Sequence, residues 1–77
     1  MSKQLLIQYF EELKKKEFLN DSSKAEVLIK TYPDEKVYTK QDLYDYYIDL
    51  LTLGYFKNQE IAKEAEELIR QYPDEVE

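Results

Sequence analysis

The chain contains no histidine and no cysteine, so the commonest general base and the thiolate nucleophile and metal ligand are missing from the outset. Three serines remain, Ser2, Ser22 and Ser23. Each stands beside an expected helix start, where capping of free N–H groups accounts for it, and no imidazole exists to activate it. Gly54 is the only glycine, which rules out a glycine-rich phosphate loop. What remains is acidic. Asp42, Asp45 and Asp49 fall three and four residues apart, a spacing that lines carboxylates along one helical edge and can in principle hold a hard cation. No Asp-x-Asp-x-Asp-Gly loop accompanies them, and evenly spaced acids on a helix usually form a solvated face. A carboxylate pair for glycoside chemistry needs a cleft that 77 residues can hardly build. The chain therefore reads as non-enzymatic, with no cofactor and no metal.

The charge pattern points to binding. Net charge is −6. Residues 1–40 hold eight lysines against seven acids, whereas residues 41–77 hold Lys57, Lys63 and Arg70 against ten acids, leaving +1 and −7. A field of that sign repels phosphate backbones, so direct nucleic-acid binding is not expected, and it attracts a basic protein surface. Lys14, Lys15 and Lys16 do not alter this reading. Glu11 and Glu12 lie one turn earlier, where they are expected to pair with Lys15 and Lys16, and lysines suit a helix C-terminus.

The acidic half also carries most of the tyrosine. At 100° per residue, Leu43, Tyr46, Tyr47, Leu50 and Leu53 form one apolar stripe on a single helix, and Tyr44, Ile48, Leu51 and Tyr55 form a second beside it. Two outcomes are open. The helix is the central one of a bundle, enclosed by more than one neighbour, or its second stripe is partly exposed and docks a partner, a use that suits tyrosine's apolar body and polar tip. The candidate binding residues are Tyr44, Asp45, Ile48, Asp49 and Tyr55, with Glu60, Glu64 and Glu67 as an acidic rim.

These residues are positioned by two copies of one helical hairpin. Ala25–Glu35 returns as Ala65–Glu75 with eight of eleven residues identical at an offset of 40. Upstream the offset is 37, matching Leu6, Tyr9, Leu13 and Phe18 to Leu43, Tyr46, Leu50 and Tyr55. The second copy is thus expected to gain about three residues in its inter-helix loop. Ala25, Leu28, Ile29 and Tyr32, and their counterparts Ala65, Leu68, Ile69 and Tyr72, keep the i, i+3, i+4, i+7 spacing of one helical face. Pro33 and Pro73 then stop each copy. N-cap signals at Ser2, Asp21 or Ser22, Thr39 and Asn58, with Asp42 at the third helical position after Thr39, predict helices near 3–16, 22–32, 40–53 and 59–72. Gly54 is the expected left-handed residue closing the third.

The pattern Ala-x-x-Leu-Ile-x-x-Tyr-Pro resembles the closing helix of a tetratricopeptide repeat over about 11 residues per copy. It departs from that family in its period and in having two copies where three are normally needed. The expectation is an all-α single domain over residues 1–77, made of hairpins at about 2–35 and 39–75. The two are packed either as a compact four-helix bundle or as a tetratricopeptide-like pair.

Such a chain is near the lower size at which a core alone suffices. The polar Ser2-Lys3-Gln4 and the short apolar run after it argue against a signal peptide, and no stretch is long enough to span a bilayer; the expected location is the cytoplasm. The functional expectation is a module that binds and modulates a partner protein with a basic surface. The alternatives are a phage-type inhibitor that mimics DNA on a nucleic-acid enzyme, and a homodimeric assembly part that uses the tyrosine stripe between copies.

Overall fold

The computed structural model describes residues 3–72, and their four helices begin and end where local chemistry directs them: α1 (Gln4–Lys15), α2 (Ser22–Lys30), α3 (Lys40–Leu53) and α4 (Gln59–Arg70). Asp21 caps α2 by accepting from the Lys24 N–H at 3.2 Å, and Asn58 caps α4 by accepting from Ile61 N–H at 2.8 Å. At the head of α3 the Asp42 carboxylate reaches back to the Thr39 N–H at 2.8 Å, satisfying a donor the helix leaves free. α1 starts after Lys3 with no side-chain cap; Ser2 and Pro73 lie outside the described residues. No helix among them is long and apolar enough to cross a membrane.

α1 and α3 close in the same way. Gly54 adopts φ 77°, and Tyr55 N–H donates to the Leu50 carbonyl at 2.9 Å. Thirty-seven residues earlier, Glu17 adopts φ 61° and Phe18 N–H donates to the Leu13 carbonyl at 3.0 Å. One copy uses glycine for the left-handed turn and the other forces a glutamate into it.

The core repeats with the sequence. Leu6, Tyr9, Phe10 and Leu13 of α1 are buried, as are Leu43, Tyr46, Tyr47 and Leu50 of α3; Ala25 and Ile29 of α2 match Ala65 and Ile69 of α4. The three residues gained by the second copy are not in its loop, contrary to the sequence reading. The caps Asp21 and Asn58 are still 37 apart, while α2 has 9 residues and α4 has 12. Nearly one helical turn is added inside α4, so the apolar face stays roughly in phase. Ala62 of that turn is buried.

The hairpins pack as an approximate two-fold pair, with α1 against α3. Their loops meet in an antiparallel bridge between Leu19 and Phe56, themselves equivalent residues. Asn20 N–H donates to the Tyr55 carbonyl at 2.9 Å and Lys57 N–H to that of Phe18 at 3.1 Å, the reciprocal pattern of an isologous contact. The tyrosines repeat the symmetry. Tyr9 donates its hydroxyl to the Ala65 carbonyl and Tyr46 donates to that of Ala25, each at 2.8 Å. Their rings meet edge to face at 6.1 Å, and each has a further edge-on partner, Tyr72 for Tyr9 and Tyr32 for Tyr46. The all-α fold expected from the sequence thus forms from four helices, its two hairpins locked by phenols that cross between them.

Candidate functional site

α3 buries one face and leaves the adjacent stripe open. Leu43, Tyr46, Tyr47 and Leu50 point into the core, whereas Ile48 is 50% exposed and Leu51 41%. Tyr44 and Tyr55, at the two ends of the same stripe, are half-buried against the core. Both outcomes left open by the sequence are met in part: α3 packs against two neighbours, α1 and α4, and the middle of its second stripe is nonetheless exposed. Leu53, assigned by periodicity to the inner stripe, is 51% exposed instead; it lies in the last turn, beside Gly54, where the chain leaves the helix.

The carboxylates of α3 divide by role. Asp42 belongs to the helix start: it accepts from Thr39 and pairs with Lys36 at 2.8 Å, while the Lys36 ammonium sits 4.9 Å from the centre of the Tyr38 ring. Burial alone would raise the Asp42 carboxyl, but the hydrogen bonds from Lys36 and Thr39 outweigh it and hold it below its usual range. Asp49 accepts the Tyr32 hydroxyl, tying the end of α2 to α3. Burial, and then this bond to a carboxylate, push the Tyr32 phenol up. Asp45 alone of the three is exposed, and it accepts from the Gln41 amide at 3.3 Å. The three aspartates therefore do not act as one stripe.

On α4, Ala62, Ala65 and Ile69 face inward, and Glu60, Glu64 and Glu67 are exposed on the opposite side. Glu66 is different. It is half-buried and close enough to Tyr47 to raise that phenol further after burial has done so, which places α4's acidic flank beside α3. Lys40 Nζ, donating to the Arg70 carbonyl at 3.4 Å, ties the same two helices where α3 begins and α4 ends.

Of the candidate residues, then, Tyr44, Ile48 and Tyr55 lie along one ridge with Asp45 beside it, Asp49 is committed to Tyr32, and Glu60, Glu64 and Glu67 lie on the outer face of the neighbouring helix. Leu51 belongs with the ridge and was legible in its spacing. The expected Glu11–Lys15 and Glu12–Lys16 pairs do not come within ion-pair distance; the pairs formed among the described residues are Lys3–Asp34, Lys24–Asp21 and Lys36–Asp42. Exposed lysines and glutamates gain too little in water to be held in one geometry. Comparison with protein-family models, curated proteins and solved structures finds no match for the chain.

Proposed function

We propose that the protein is a non-enzymatic interaction module that docks a basic protein surface on the outer ridge of α3, with Asp45 and the outer glutamates of α4 steering the approach. One observation carries this reading. The ridge Tyr44, Ile48, Leu51, Tyr55 has an equivalent line in α1 and the loop after it, Ile7, Glu11, Lys14, Phe18, at the offset of 37 that aligns the two cores. The first copy builds the same core with a glutamate and a lysine at the middle positions. Folding therefore does not demand isoleucine and leucine there, and exposed apolar side chains in a row mark a contact surface. The −7 charge of residues 41–77 supplies the complementary field.

Capture of a partner from native extract by the tagged protein tests this. Asp45→Lys with Glu64→Lys should weaken capture, as should raising the salt several-fold, because rim charges act chiefly through steering. Capture indifferent to both changes would refute the electrostatic part. Sedimentation over a range of concentrations separates docking of a foreign protein from self-association through the same ridge. Competition by DNA for the captured partner would favour the nucleic-acid mimic.

A further inference from the structure

The aligned registers differ in consequence at one groove. In the second hairpin Tyr44 and Tyr47 stand where the first has Ile7 and Phe10. There Tyr47 is buried and Tyr44 is packed against the core. In the first hairpin the shorter Ile7 stays 44% exposed, and a groove of about 270 Å³ opens between α1 and α2 over the buried Phe10 and Ile29. An enclosed cavity of roughly 150 Å³ accepts a benzene ring, so there is room for one aromatic side chain and part of its neighbour.

The rim is charged. The Lys3–Asp34 ion pair, at 3.1 Å, is part of it, and these two charges offset each other. Glu11 from α1 and Glu26 from α2 then supply a carboxylate on each wall against Lys30 alone, a net negative edge around an apolar floor. We propose that this groove is a second binding site, separate from the α3 ridge, which takes an aromatic side chain next to a lysine or arginine of a partner protein. The ring rests on Phe10 and Ile29 while the cation is drawn to Glu11 and Glu26.

Titrating the isotope-labelled full chain with acetyl-Tyr-Lys-amide, followed by NMR, tests the site. Saturable shifts are expected at the amides of Ile7, Phe10, Glu26 and Ile29, with Kd on the order of 1 mM for so small a ligand. Acetyl-Tyr-Glu-amide should bind at least about threefold more weakly. Ile7→Tyr copies the register of the second hairpin, should fill the groove, and should remove the shifts while the thermal midpoint holds. Ile7→Lys places a cation at the groove on a residue that suits a helix, so it gives the same readout if the tyrosine variant folds poorly. Shifts that survive in a folded variant, shifts that map to the α3 ridge, equal binding of the two peptides, or no saturable shift would each overturn the proposal.

Discussion

Glu17 occupies the left-handed turn after α1 with φ 61°, where a side chain costs about 1–2 kcal/mol that glycine avoids. Glu17→Gly should accordingly raise stability by about 1 kcal/mol in a urea unfolding curve, with the midpoint moved and the slope unchanged. Gly54→Ala should cost a similar amount through strain alone, since nothing lies within 4 Å of the added methyl position. Tyr9 and Tyr46 offer a second comparison. Each is fully buried and donates one hydroxyl to a helix carbonyl of the other hairpin. Tyr9→Phe and Tyr46→Phe should each cost about 1 kcal/mol, equal within experimental error; a large inequality would show that the two-fold relation is not energetic. Sequence spacing placed both tyrosines on apolar faces. It did not reveal their carbonyl partners, which lie 56 and 21 residues away and exist only once the hairpins are paired.

Helix α3 depends on its first turn. The Asp42 carboxyl is held below its usual range in the folded chain, so its contribution is present above the unfolded value near pH ~4 and is lost as the pH falls through the lower folded value. Asp42→Asn should therefore lower stability at neutral pH and flatten the acid limb of the stability curve, as measured by circular dichroism. Lys36→Ala should do the same in smaller degree, its ammonium being exposed and screened. The helix starts were legible because Asp21, Thr39 and Asn58 are cap residues at the right spacing. The added turn of α4 was not. The offset changes from 37 to 40 somewhere between Phe18 and Ala25, and apolar matches alone do not say whether a loop or a helix absorbs it; the conserved spacing of the caps Asp21 and Asn58 was the usable signal. The exposed flank of α3 was half-legible, since its apolar arc exceeds what one neighbour covers, but periodicity does not say how many neighbours there are.

Taken as a whole, the molecule joins two hairpins through buried phenols, and alkaline pH should separate them. Burial pushes the Tyr9 and Tyr46 hydroxyls far above the ordinary phenol range, with nearby tyrosines and Glu66 adding to it for Tyr9 and Glu26 for Tyr46. A raised folded value means that stability is complete below pH ~10 and declines above it, because only the unfolded chain ionises there, by about 1.4 kcal/mol per pH unit for each such phenol. Phenolate absorbance of these two residues should appear together with loss of helical dichroism. The all-α repeat was readable from spacing, but the loop bridge at Leu19 and Phe56 was not, since two residues in separate loops carry no periodicity. The same two-fold relation gives the proposed docking ridge its control, because the first copy shows which residues the shared core accepts at those positions. Giving the α3 ridge the first copy's residues, Ile48→Glu with Leu51→Lys, applies that control. Capture of the basic partner by this double variant should be lost while stability changes by less than about 1 kcal/mol; undiminished capture, or collapse of the fold, would contradict the assignment of the ridge to binding.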